Sequence, residues 1–225
     1  MKSVLISIRP QWCEKICHKI GKDENGKPIY EKRIEVRKSA PSEVPFKAYL
    51  YATRPKKFYK CGAVSTSDEL LWLANGKVEM GDGFKFWADG DEYQCLNGRI
   101  IGEFVCDKVY LIKNQGSRFS VADEEQGVTN EIARQSCLDY DDMVGYLGNK
   151  DGYGWHISDL KIYDKPKELS EFKTPPCEKP EKACENCKYR VVINTPDMYE
   201  VDCFVENGRE ITRPPQSYMF VEELK

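Results

Sequence analysis

The sequence predicts an α+β, mostly-β chain: a small β-barrel flanked by short helices, followed by a small C-terminal β-hairpin extension. Three observations predict it. Short strand-like runs recur through residues 3–165, broken by turn-rich segments and a few short helical runs, with no repeat at a fixed period. One run, Arg33-Ile34-Glu35-Val36-Arg37, alternates strictly between charged and apolar residues. From Pro166 the strand pattern gives way to Pro, Glu, Lys and Cys. The expected division is a barrel domain over 1–165 and a linker with extension over 166–225.

Residues 3–8, rich in Val, Leu and Ile, read as the first strand. This apolar stretch is too short for a signal peptide and has no small-residue cleavage site. Pro10 suits the first turn of a helix running to about Ile20. Within it Cys13, Ile16, Cys17 and Ile20 follow i, i+3, i+4, i+7 spacing, so both cysteines read as packing residues. His18 falls on the polar side, and Gly21 reads as the C-cap. The stretch from Gly21 to Pro28 is polar and turn-rich, and the insertion from Lys22 to Glu31 is either a flap over a cleft or a surface hairpin.

Next come the charged strand at 32–37 and a strong strand pattern from Phe46 to Thr53. Ser65 to Asn75 reads as a helix with Leu70, Leu71 and Leu73 in its body. Residues 76–98 read as a long loop or ragged hairpin. Arg99 to Lys113 is the longest strand-like run, with Gly102 as a bulge. Asp139 to Leu147 reads as a short helix behind a polar N-cap, and Gly152 to Tyr163 as strand. Beyond the linker, 188–193 and 199–205 are strand-like, Asn207-Gly208 is a two-residue hairpin signal, and Tyr218 to Val221 is a last apolar run.

With 225 residues, 40% hydrophobic and 32% charged, the chain can bury a core. No run approaches the roughly 18–20 apolar residues of a membrane span, so a cytoplasmic protein is expected. The net charge of −3 hides an asymmetry: residues 1–60 carry 15 Lys/Arg against 6 Asp/Glu, and residues 61–225 carry 19 against 31. Such a split points to a local polyanion contact, not a coating of positive charge. Arg54, Lys56, Lys57 and Lys60 interleave with Phe58 and Tyr59 in a segment without acids. That loop is either a phosphate-contacting and base-stacking surface, through Arg54, Lys56, Lys57 and Tyr59, or a solvated connector.

The charged face of the 32–37 strand is either an anion-binding or acid/base surface or a solvated edge protected by charge. Trp12 and Trp155 belong to the core or line the cleft, and His156 is either a cleft acid/base or a surface group. Cys184-x-x-Cys187 forms a chelating turn, with Cys177 before it and Cys203 on or beside the second strand of the extension. Four thiolates so spaced can close a structural tetrahedral Zn2+ site that folds a segment poor in core residues. Cys61, Cys95, Cys106 and Cys137 are scattered, as small buried hydrophobes are.

The opening strand, Arg9-Pro10-x-Trp12 leading a helix, Gly21, and Lys32-x-Ile34-Glu35-Val36-Arg37 together resemble the ASCH domain of the PUA-like superfamily, whose hallmark is roughly G-x-K-x-x-E-x-R. Gly98 to Phe104 and Gly154 to Leu160 extend the resemblance over about residues 1–165, and the cysteine-bearing tail resembles an extension of some bacterial and phage members. The resemblance implies a PUA-like barrel whose cleft binds RNA or a nucleotide-like ligand, with Lys32, Glu35 and Arg37 lining it. Lys32 joins Glu35 and Arg37 on one face only if the chain bends, because it alternates in phase with Ile34 and Val36. Some members deacylate N4-acetylcytidine through a motif Lys followed by Thr and a later Glu. Here Arg33 follows Lys32, leaving no adjacent hydroxyl to activate. A hydrolase acting on RNA or modified nucleosides would rest on Lys32 with Glu35 or Glu103. A third alternative is a protein-interaction adaptor.

Overall fold

The computed structural model describes residues 1–54, 96–116, 118–176 and 208–224 in full. Residues 60–64, 70–74, 85–88, 91–95, 190–195 and 198–203 are described as backbone strands. The fold is mostly β with a few short helices. Its largest sheet has five strands in the order β14-β10-β5-β1-β17. These are β1 (Lys2–Ile8), β5 (Phe46–Ala52), β10 (Ile100–Cys106), β14 (Ser158–Lys167) and β17 (Tyr218–Val221). A second sheet has four strands in the order β12-β11-β13-β4. Its members are β4 (Ile34–Arg37), β11 (Val109–Asn114), β12 (Phe119–Val121) and β13 (Gly152–His156). A further four-stranded sheet and two two-stranded ones complete the pairing among the described residues, which forms separate sheets and not one continuous ring.

The alternation of β1 and β5 decides where the cores sit. Val4, Ile6 and Ile8 with Phe46, Ala48, Leu50 and Ala52 face a main core that also holds Trp155 and the apolar side of helix α1 (Pro10–Cys17). Trp155 is fully buried, edge-on to Phe46 at 4.9 Å and to Tyr218 at 5.2 Å. Its truncation to Ala would cost about 3–5 kcal/mol. On the opposite face, Leu5, Tyr49 and Tyr51 pack with Phe172, Ile211 and Val221, which arrive from the C-terminal part of the chain. A third cluster places Ile34 and Val36 of β4 against Ile132 of helix α2 (Gln126–Ser136) and Met143 and Leu147 of helix α3 (Tyr140–Leu147).

Several expected elements hold. Cys13, Ile16 and Cys17 are buried on one face of α1, and burial pushes the Cys17 thiol up to about 12. Asp139 caps α3, its side chain accepting from the Asp142 amide. The bulge at Gly102 is real: register shifts there against both neighbours, and a Cβ would stand 2.5 Å from the Lys161 carbonyl oxygen.

Other expectations are corrected. Helix α1 ends at Cys17, and Ile20 is 50% exposed. Gly21 is therefore no C-cap; it sits in β2 (Lys19–Lys22), which pairs with β3 (Pro28–Tyr30) in a hairpin. The expected helix over 65–75 contains a strand, β7 (Leu70–Ala74), antiparallel to β6 (Lys60–Val64). A short continuous apolar run does not distinguish helix from strand, and backbone pairing decides it. For 76–98, by contrast, the hairpin alternative holds: β8 (Lys85–Ala88) pairs antiparallel with β9 (Asp91–Cys95). The single run over 99–113 is two strands, because the polar corner Asp107-Lys108 carries the chain from one sheet to the other.

In the C-terminal region β15 (Arg190–Thr195) and β16 (Met198–Cys203) form a hairpin. The turn signal at Asn207-Gly208 does not join them. Gly208, at φ +70°, leads into a return, where the Thr174 amide donates to the Arg209 carbonyl at 2.8 Å and the Arg209 amide donates to the Thr174 hydroxyl at 3.0 Å. Asn207 itself lies outside the described residues.

Candidate functional site

Strand β4 pairs only with β13 in its sheet, so it is an edge by topology, yet all four of its residues are buried. Ile34 and Val36 fill the third core cluster. Glu35 and Arg37 therefore point the other way, toward β1, as strand alternation requires. Lys32 lies just before β4, where the Lys32 amide donates to the Lys15 carbonyl and the Arg33 amide to the Gln135 carbonyl. This bend overrides sequence parity and brings the Lys32 ammonium to the Glu35 side.

The result is a buried ionic cluster. Lys32, Glu35 and Arg37 are 1%, 6% and 4% exposed. Glu35 lies between the two cations, with Oε2 3.4 Å from Lys32 Nζ and Oε1 3.1 Å from an Arg37 guanidinium nitrogen. Lys32 Nζ also donates to the Ser136 carbonyl at 2.5 Å, and Arg37 donates to the Ser7 carbonyl at 2.8 Å. Burial lowers the Lys32 pKa, with the Glu35 carboxylate opposing that shift. Two polar atoms of the cluster, Glu35 Oε2 and Arg37 Nε, are buried without a hydrogen-bond partner. For Glu35 Oε2 the 3.4 Å approach of Lys32 is an ionic contact whose geometry falls short of a hydrogen bond.

The cluster floors a cavity of about 650 Å³. One wall is the end of β1 and the start of α1, with Ser7, Arg9, Gln11 and Trp12; Thr53, at the exit of β5, stands beside them. The other is the α3 side, with Asp141, Asp142, Gly145 and Tyr146. Pro214, Pro215 and Gln216 strap the cavity edge. That strap is held by Ser7, whose hydroxyl donates to the Pro215 carbonyl at 2.6 Å and whose amide donates to the Ser217 carbonyl at 3.0 Å. The Lys32 ammonium sits 5.3 Å from the centre of the Trp12 ring.

The structure thus brings together Lys32, Glu35 and Arg37. It does not bring Glu103 to them. Glu103 pairs opposite Tyr49 on β5, accepts from the Tyr163 hydroxyl at 2.6 Å and lies 3.8 Å from Lys47. Arg54 is two residues beyond β5 and is not among the cavity-lining groups, although neighbouring Thr53 is. Lys56, Lys57 and Tyr59 lie outside the described residues, as do Cys177, Cys184 and Cys187; of Cys203 only the backbone, in β16, is described. Among the described residues no group of three or more His, Cys, Asp or Glu could hold a metal ion. The two tryptophans separate: Trp12 lines the cavity and Trp155 is core. His156 is a partly exposed group paired with Asp107 at 2.6 Å, and His18 is exposed beside Glu31. The β2–β3 hairpin contributes no cavity-lining residue.

Sequence reasoning missed helix α2, whose Ser136 carbonyl receives Lys32. Its buried positions Thr129, Ile132 and Ser136 are spaced helically, but two of them are polar, so the apolar periodicity is weak. The α3 wall and the Pro214–Gln216 strap carried no local signal of a site.

The fold is thus mostly β, with a buried ionic cluster beneath an open-sided cavity. Among solved structures the chain is similar to ASCH from Zymomonas mobilis, at 13% identity and a TM-score of 0.45, over 99% of this chain and 89% of that one. Two single-substitution forms of that protein give TM-scores of 0.46, over the same shares, and 0.41, over 75% and 77%, again at 13% identity. No protein-family model matches the chain, and no curated protein does. Among the described residues no helix is long and apolar enough to cross a membrane.

Proposed function

We propose that this chain is an ASCH-type module of the PUA-like superfamily that binds RNA or a nucleotide-like ligand in the cavity above Lys32, Glu35 and Arg37. In this reading the two sheets are the halves of a PUA-like barrel. One observation carries it: the three motif residues converge, buried, beside a cavity, with Glu35 Oε2 and Arg37 Nε lacking hydrogen-bond partners. A buried polar atom without a partner costs about 1–3 kcal/mol, so a purely structural cluster would be expected to satisfy itself. A ligand whose binding draws these side chains toward the cavity would supply the missing partners. Trp12 adds a flat face for a base, and Arg9 a second phosphate donor at the rim.

The test is equilibrium binding of mononucleotides and short single-stranded RNA to the wild type, Arg37→Gln and Trp12→Ala, with thermal melting as a folding control. Folded variants should bind at least about tenfold more weakly, and loss of a phosphate contact should flatten the salt dependence by about one unit of log–log slope. Folded variants that bind like the wild type would remove the cavity from the proposal.

A second reading, hydrolysis of RNA or a modified nucleoside, is favoured by the lowered Lys32 pKa, which suits a general base. It lacks a hydroxyl at position 33, where Arg33 reaches toward Glu131 at 3.6 Å instead. Release of cytidine from N4-acetylcytidine by the wild type and not by Lys32→Met would establish it.

We also propose a structural Zn2+ held by Cys177, Cys184, Cys187 and Cys203. The spacing supports it, as does the β15–β16 register, which sets Cys203 opposite Arg190, three residues beyond Cys187. Metal quantification on protein purified without chelator tests it, and well under one zinc per chain would refute it.

A further inference from the structure

The cavity lining carries charges of both signs, and we infer that it prefers a nucleotide with an amino-bearing base over the oxo counterpart, reading the base edge with Asp141 and Asp142. This inference rests on the nucleotide-binding reading above and names its ligand class. Arg9 with Lys32 and Arg37 forms a cationic side; Asp141 and Asp142 face the same space from the first turn of α3. With Glu35 counted, the lining holds three formal positive and three formal negative charges. A long polyanion threading this space would meet the aspartate pair. A single nucleotide keeps its phosphate clear of that pair: the phosphate can lie with the cations while the base edge reaches the carboxylates.

Chemistry then sets the base. A carboxylate accepts from an exocyclic amine, as Asp and Glu do from cytosine N4, whereas an oxo group at that position places lone pairs against it. Acidic residues in a first helical turn also complement the helix dipole, and that alone would make no site. Here the capping role is already filled by Asp139, which accepts from the Asp142 amide at 2.7 Å. Independently, the same cavity floor holds Glu35 Oε2 and Arg37 Nε, two atoms without a hydrogen-bond partner, on ion-paired side chains more than nine-tenths buried. The volume, about 650 Å³, lies within the roughly 300–1,000 Å³ range of small-molecule sites.

Calorimetry with two matched pairs, CMP against UMP and AMP against IMP, tests this on the full chain. The wild type should bind the amino member of each pair about 5- to 150-fold more tightly, the range of one good base contact. Asp141→Asn and Asp142→Asn are near-isosteric and their amides donate as well as accept. At least one should bring the two members of each pair within about twofold, with UMP binding held or improved. Equal affinity within pairs in the wild type, or full discrimination in both variants, would overturn the inference and leave nucleotide binding standing. Failure of all four nucleotides to bind would overturn both.

Discussion

Lys32 Nζ lies 3.4 Å from Glu35 Oε2, although strand alternation would put the two residues on opposite faces. The contact exists because the backbone before β4 is held by α1 on one side and α2 on the other, through the Lys15 and Gln135 carbonyls. Two helices distant in sequence thereby place one ammonium in a buried site.

That placement has a pH consequence. The Lys32 pKa is lowered in the fold, so between its folded value and the ordinary 10.5 the unfolded chain binds more protons than the folded one. Stability contributed by this group therefore rises with pH through that window, with a slope approaching about 1.4 kcal/mol per pH unit. Urea midpoints of the wild type should gain on those of Lys32→Met as pH rises from neutral toward 10.5. Parallel curves would mean that Lys32 is not desolvated.

Ser7 joins three parts of the site. Its carbonyl accepts from Arg37, its hydroxyl donates to Pro215, and its amide donates to Ser217. Ser7→Ala removes one hydrogen bond and should cost about 0.5–1.5 kcal/mol. Its signature is local: amide exchange at Ser7 should accelerate more than at Leu5, as the strap loosens. Uniform acceleration along β1 would indicate global destabilisation instead.

Much of the strand content was legible, because Phe46 to Ala52 is rich in β-forming residues, whereas the run from Gly152 to Tyr163, read as one strand, is split between β13 and β14 in different sheets. The motif residues Lys32, Glu35 and Arg37 were legible as a set through their resemblance, but not as a buried cluster. Burial depended on Ser136 and Ser7, which are remote in sequence and contribute main-chain carbonyls that any residue could supply. Glu103 illustrates the converse. Its chemistry suited a catalytic carboxylate, and only the facing of β10 shows that it meets Tyr163 and Lys47.

Glu31 ties the β2–β3 hairpin to α1, accepting from Lys15 Nζ at 2.6 Å and lying 2.9 Å from His18 Nδ1. These partners lower its pKa below the ordinary 4.5. The associated stability is present above 4.5 and lost as pH falls through the folded value. Amide exchange across residues 19–30 should therefore rise in acid before that of β1, and Glu31→Gln should raise it already at neutral pH. Hairpin protection that follows β1 at every pH would show that Glu31 does not govern docking.

Gly145 separates occupancy of the cavity from its charges. It lies in α3, lines the cavity, and a Cβ there would meet nothing within 4 Å. Gly145→Ala should stabilise the helix by up to about 1 kcal/mol, since glycine loses the most backbone freedom on folding. Gly145→Leu adds a branched side chain to the open space without touching Lys32, Glu35 or Arg37. Its melting temperature should match or exceed that of the wild type, while nucleotide affinity falls at least about tenfold and the Ala variant binds within a few-fold of wild type. A stable Leu variant that binds as the wild type does would place the ligand elsewhere on the molecule. Because stability and binding are expected to move in opposite directions, damage to the fold cannot imitate the predicted result.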